Sequence, residues 1–120
     1  MLAFAEMIRG GTTAFCDMYM FMDSCAKAAD KAGIRGNLAR GLAGISPNAQ
    51  SGLQENIELF EKWEGAGDGR FHVMLGPHAP YTCPPDYIRQ VRDEAMKHVI
   101  PIHIHLSETQ RELDECIARY

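Results

Sequence analysis

Three features of this 120-residue sequence predict an α/β fold built on a parallel sheet. Short β-rich apolar runs begin near residues 12, 34, 71 and 100. Each is followed by a stretch whose apolar residues recur at helical spacing. Glycine or proline punctuates the junctions between them. Strand–helix alternation of this kind builds a parallel sheet with right-handed crossovers. Two architectures satisfy it: a small doubly wound sheet, or half of a (β/α)8 barrel, whose full form takes about 250 residues.

In chain order, residues 2 to 9 predict the end of a helix, stopped by Gly10-Gly11. Thr12 to Met18 is the first strand. Met22, Cys25, Ala26, Ala29 and Ala32 mark the next helix, closed by Gly33. Ile34 to Ala39 predicts a strand, followed by a loop from Gly41 to Gln50. Ser51 is the expected N-cap of a third helix, with Gln54 at the capping-box position. That helix carries an apolar stripe of Leu53, Ile57, Phe60 and Trp63 and ends at Gly65-Ala66-Gly67. Phe71 to Leu75 is the next strand, and Pro84 and Pro85 suit the first turn of a helix buried through Ile88, Val91 and Ala95. A strand over 101–106 and a helix from Glu108 to Tyr120 complete the chain.

Length and composition predict one domain at most over 1–120, with a core of ordinary size: 46% of residues are hydrophobic and 23% charged. The formal net charge of −4 leaves no basic face to neutralise phosphates, which argues against nucleic acid. No apolar run approaches a membrane span. The first residues carry Glu6 and no basic lead-in, unlike a signal peptide. Cys16, Cys25, Cys83 and Cys116 show no zinc-finger spacing, and the expectation is reduced thiols in or near the core of a cytoplasmic protein.

The stretch Pro101-Ile-His-Ile-His-Leu-Ser-Glu-Thr109 is the richest in chemistry. A strand there puts Ile100, Ile102, Ile104 and Leu106 on one face and His103 and His105 on the other. Glu108 follows three residues after His105, where strand would turn into helix. An imidazole and a carboxylate at a barrel strand's carboxyl end are raw material for metal-assisted hydrolysis. A single strand histidine is more often a hydrogen-bonded core residue, and His103 can be a packing residue or a partner of His105. Gly76-Pro-His-Ala-Pro-Tyr-Thr82, one strand earlier, is a stiff loop suited to holding His78 and Tyr81, or else an ordinary turn. Arg40 ends the second strand and can hold a ligand's hydroxyls or carboxylate, or form a salt bridge in the wall. Asp17 ends the first strand on the same expected rim.

The motifs Gly10-Gly-Thr-Thr-Ala-Phe-Cys-Asp-Met-Tyr19, Gly76-Pro-His-Ala-Pro-Tyr-Thr-Cys-Pro-Pro85 and Pro101–Thr109 resemble the amidohydrolase superfamily. More narrowly the chain resembles its methylthioadenosine/S-adenosylhomocysteine deaminases, relatives of the chlorohydrolases and guanine deaminases. The resemblance implies a (β/α)8 barrel of which this chain holds about strands two to five. It implies one catalytic divalent metal, usually zinc. By position, His105 would be a metal ligand, Glu108 the carboxylate shuttling protons to the purine ring, His78 a substrate contact and Arg40 a second one. No metal role falls to His103. The family's other ligands, a first-strand His-x-His, a sixth-strand histidine and an eighth-strand aspartate, have no counterpart here.

The expectation is therefore a hydrolytic deaminase of an adenine nucleoside. Alternatives are another reaction of the same group, such as guanine deamination or dechlorination of a triazine, or a non-enzymatic doubly wound binding domain. One ligand does not hold a catalytic zinc, so the chain alone is expected to be inactive and free of tightly held metal. Open sheet edges and an uncovered apolar face predict self-association.

Overall fold

The structure is a computed structural model that describes residues 1–119. The chain runs α1 (Leu2–Arg9), β1 (Ala14–Tyr19), α2 (Met22–Ala32), β2 (Arg35–Leu42), α3 (Ala49–Trp63), α4 (Ala66–Gly69), β3 (Phe71–Pro77), α5 (Pro85–His98) and α6 (Gln110–Arg119). The three strands are parallel in the order β1-β2-β3. The 100–106 segment follows on the far side of β3, through an isolated parallel bridge between Leu75 and Ile102. The order is sequential, with no switch point, as half of a barrel requires and a doubly wound sheet does not.

Helices cover one face of the sheet. Leu38, Phe71 and Val73 pack against Met22, Ala26 and Ala29 of α2 and Leu59 and Trp63 of α3. Leu42 and Leu75 pack against Leu53 and Ile57 of α3 and Tyr87, Val91 and Ala95 of α5. Trp63 meets Phe71 edge to face at 5.5 Å, the favoured geometry for an aromatic pair. Glycine serves two different ends here. Gly33 closes α2 in the left-handed conformation at φ 75°. Gly76 lets β3 approach β2, since a Cβ there would sit 2.6 Å from the Arg40 carbonyl oxygen.

Several expected boundaries move. α3 begins at Ala49, not Ser51, because the Ser46–Pro47 turn starts it early: Asn48 N–H donates to Ser46 Oγ (3.2 Å) and Ala49 N–H to the Ser46 carbonyl (3.1 Å). Ser51 then lies inside the first turn and donates its hydroxyl to the Asn48 carbonyl. The Gly65–Gly67 stretch, expected as a plain stop, instead caps and enters the short α4, with Gly65 as its N-cap and Gly67 inside it. Glu108 precedes the last helix instead of starting it.

The fourth strand forms only in part. Leu75 N–H donates to the Pro101 carbonyl (2.8 Å), His103 N–H to the Leu75 carbonyl and His105 N–H to the His78 carbonyl (both 2.9 Å). Pro77 and Pro101 offer no N–H, which interrupts the ladder. Its outer face is less buried than expected: Ile100 is in the core, but Ile102 and Leu106 are 42% and 67% exposed, since no described helix covers them. The thiols also diverge from expectation. All are free, but only Cys83 is buried, Cys25 is half-buried, and Cys16 and Cys116 lie exposed on the sheet's open face and on α6. No helix among the described residues is long and apolar enough to cross a membrane.

Candidate functional site

The register decides which side chains share the open face. Partnered residues in a parallel pair point to the same side, and Cys16 pairs with Asn37, Ala39 with Met74 and Gly41 with Gly76. Leu75, on the helix-covered side, pairs with Ile102, so His103 and His105 emerge on the open face. That face is concave. On a flat sheet β1 and the 100–106 segment would be three strand spacings apart, about 14 Å. Yet Cys16 Sγ and His103 Nδ1 approach to 3.6 Å. The sheet has curled as a barrel wall does.

His78 stands at the carboxyl end of β3, and its loop is locked on every side. Its N–H donates to the Leu42 carbonyl (2.9 Å), Cys83 Sγ donates to the same carbonyl (3.1 Å), and Ile45 N–H donates to the Thr82 carbonyl (3.2 Å). The ring contacts Thr82 Oγ1 through Nδ1 at 2.9 Å, while the Thr82 hydroxyl donates to the Ala79 carbonyl. With that proton committed, Thr82 accepts from His78, so Nδ1 carries the proton and Nε2 is an open acceptor.

The His105 ring lies 5.3 Å from that of His78, edge to face, and the Tyr81 ring 5.6 Å from His78 on another side. Ser107, at a left-handed φ of 56°, turns the chain between His105 and Glu108. Glu108 then accepts the Tyr81 hydroxyl at 3.1 Å. The turn is pinned by Glu112, whose carboxylate accepts the N–H groups of Ser107 and Glu108, while Glu112 N–H donates to Thr109 Oγ1. His78, Tyr81, His105 and Glu108 therefore form one cluster on one rim.

Arg40 lies elsewhere. It pairs with Leu75 across the register and so faces the helices, where its Nε donates to Glu55 of α3 at 2.9 Å and its Nη1 to the Gly41 carbonyl at 2.6 Å. The geometry supports the salt bridge in the wall. Asp17 is also on the helix side, accepting from Cys25 Sγ at 3.8 Å. The shared rim expected of four strand ends thus splits between two faces.

Three groups on the open face have displaced titrations. Burial first, and the neighbouring His105 second, hold the His103 imidazole below its usual pKa. Burial and the Asp17 charge push the Cys16 thiol up. The hydrogen bond to Glu108 raises the Tyr81 phenol.

A family model described as the amidohydrolase family matches residues 1–120. The chain belongs to the amidohydrolase family. It is 48% identical over its whole length to a 5-methylthioadenosine/S-adenosylhomocysteine deaminase of Carboxydothermus hydrogenoformans, and 49% identical to one of Desulforamulus reducens. It spans 28% of the length of each. Among solved structures it superposes on an adenosine deaminase from Xanthomonas campestris with bound zinc, with a TM-score of 0.87 and 29% identity, over 99% of this chain and 28% of that one. The family's barrel explains the parallel order and the curl.

A catalytic zinc takes three protein ligands. Among the described residues no three histidine, cysteine, aspartate or glutamate side chains converge to hold an ion. By themselves the described residues do not complete a catalytic zinc site.

Sequence reasoning missed two supports of the cluster. Glu112 had a readable signal, the capping-box spacing Thr109-x-x-Glu112. Asn56 had none. It is a fully buried polar residue on α3 whose amide donates to the Met74 carbonyl (2.9 Å) and accepts from Gly76 N–H (3.1 Å), fixing the end of β3 just before His78.

Proposed function

We propose that this chain is part of a metal-dependent hydrolytic deaminase acting on an adenine nucleoside of the methylthioadenosine/S-adenosylhomocysteine type, with release of ammonia. The observation that carries it is the gathering of His78, Tyr81, His105 and Glu108 at one strand end on a concave face. The names of relatives nearly half identical over the whole chain support the substrate class.

In this reading Glu108 moves a proton to and from a purine ring nitrogen. Its reach is set by the Ser107 turn, and the Tyr81 hydroxyl orients the carboxylate from the side. His78 presents Nε2 as an acceptor for a donor group of the nucleoside. His105 supplies one imidazole to a divalent metal, most simply zinc, whose other ligands come from outside these residues. Such an ion, when bound, supplies an activated water at neutral pH. Arg40 is assigned to the wall and left out of the substrate contacts. The small-molecule substrate needs neither nucleic acid nor membrane, and four free thiols suit a cytoplasmic enzyme. Taken alone, the chain would be inactive and self-associating, since one imidazole does not hold the metal and the apolar side chains of Ile102 and Leu106 are uncovered.

The test is ammonia release by the full-length protein from a panel of adenine nucleosides, guanine and chlorinated triazines. Methylthioadenosine and S-adenosylhomocysteine should be preferred, and Glu108→Gln should lower kcat by about 10²–10⁴-fold. Preference for guanine or a triazine, or a Glu108→Gln enzyme of unchanged kcat, would overturn the reading.

A further inference from the structure

Glu108 is delivered by a strained turn. Ser107 holds a left-handed φ of 56°, which is costly for a residue with a Cβ, and such outliers persist only where their surroundings fix them. The fixing group is Glu112, whose Oε1 accepts the Ser107 N–H at 3.2 Å and whose Oε2 accepts the Glu108 N–H at 2.8 Å. We propose that Glu112 is the positioning residue for Glu108, holding its carboxylate in place for proton transfer through this two-armed clamp. The role rests on Glu108 being the group that moves the proton.

A cap for α6 alone would not need this reach. In a capping box the carboxylate of the third helical residue takes the N–H of the cap residue, here Thr109. Thr109 does its share, accepting the Glu112 N–H through Oγ1 at 3.2 Å. The Glu112 carboxylate instead passes the cap and takes the N–H groups of the two residues before it, one of them Glu108 itself. Hydrogen bonds to a charged acceptor are about twice as strong as neutral ones. All of these bonds lie between residues 107 and 112, so the clamp is a property of this segment whatever surrounds it. At its outer end the Glu108 carboxylate accepts the Tyr81 hydroxyl at 3.1 Å, which gives it a fixed heading.

The two arms make different demands on a substitute. Glutamine has one carbonyl oxygen, so in place of Glu112 it keeps one arm and turns its amide NH2, itself a donor, against the other N–H. Alanine keeps neither arm. Glycine in place of Ser107 enters positive φ without the Cβ penalty, so it restores the turn where the clamp has been removed. Misplacing a catalytic group by about 1 Å costs on the order of 10²-fold in rate, which bounds the effect.

The test measures methylthioadenosine deamination by the full-length protein and, separately, the ultraviolet titration of Tyr81, taken as the difference from the same variant carrying Tyr81→Phe. Glu112→Ala should lower kcat by about 10–100-fold with KM within about threefold. It should also bring the Tyr81 ionisation down, because the hydrogen bond to Glu108 is what chiefly raises it. Glu112→Gln should fall between the two. Adding Ser107→Gly to Glu112→Ala should recover about fivefold or more of kcat. Asp114→Asn, which removes an equal charge from the same helix, should leave kcat within about twofold and the Tyr81 titration in place. A Glu112→Ala enzyme with kcat within about twofold of the unsubstituted one would overturn the assignment, as would a loss carried by KM. So would no recovery with Ser107→Gly, or an unmoved Tyr81 titration. If the unsubstituted protein deaminates no nucleoside, the deaminase reading fails by itself, and the Tyr81 titration decides whether Glu112 holds Glu108.

Discussion

Asn56 is where one side chain holds the end of the site-bearing strand. Replacing it with alanine removes two hydrogen bonds, to the Met74 carbonyl and from Gly76 N–H. Each is worth about 1 kcal/mol net, and leaving a buried donor or acceptor unpaired costs about 1–3 kcal/mol. The position is fully buried, so water does not reach either orphan in the native fold. Because the two losses overlap, the expected destabilisation is about 3 kcal/mol, a large share of the roughly 5–15 kcal/mol available to a domain. Urea unfolding reads it as a midpoint lowered by about 1–3 M at unchanged slope. Asn56→Leu separates causes: it fills the volume but restores neither bond, so it should be as damaging as alanine. A loss below about 1 kcal/mol for Asn56→Ala, or rescue by Asn56→Leu, would refute the claim that hydrogen bonding at this point fixes β3.

Gly76→Ala should cost more than the usual glycine-to-alanine change, because its Cβ meets the Arg40 carbonyl oxygen of β2 at 2.6 Å; a melting temperature equal to the unsubstituted chain's would contradict the close strand contact. Asp23 accepts from Lys27, Lys62 and the Trp63 indole, which together hold its carboxyl well below the usual range. Its folded pKa is depressed, so its contribution is complete above the unfolded value of about 3.9 and fades as pH falls through the folded value. The stability difference between the unsubstituted chain and Asp23→Asn, measured by urea unfolding, should therefore be larger at neutral pH than in strong acid. Tyr81 should ionise above the ordinary phenol pKa of about 10, and Glu108→Gln should bring it down, as followed by ultraviolet titration of the phenolate.

The alternation of strands and helices was legible because each element repeats its own period, and Gly33 and Pro85 mark boundaries where they fall. His78, His105 and Glu108 were legible as a group because they follow strand ends, where a parallel sheet exposes its loops on one rim. Less legible were features set by tertiary context. The early start of α3 depends on a local Ser46 bond that competes with the Ser51 cap, and a propensity argument cannot rank two serines five residues apart. The exposure of Ile102 and Leu106 depends on what covers the outer face, which an apolar pattern does not report. Asn56 sits among buried apolar neighbours and reads as an ordinary polar helix residue until its two backbone partners are seen.

Arg40 and Asp17 show why a strand end is not yet a site. Both lie two residues before a strand's carboxyl end, and both carry the right chemistry, yet a side chain's face is fixed by parity along the strand. Leu38 and Leu42 must face the helices to build the core, and Arg40, two residues from each, goes with them. Asp17, paired with Leu38, follows the same rule. His103 and His105 alternate with Ile102 and Ile104, so burying Ile100 under α5 turns both imidazoles inward. The apolar residues of each strand thus select the reactive ones. A single-residue slip in the 100–106 segment would carry His103 and His105 to the helix side and dismantle the cluster with every residue still present.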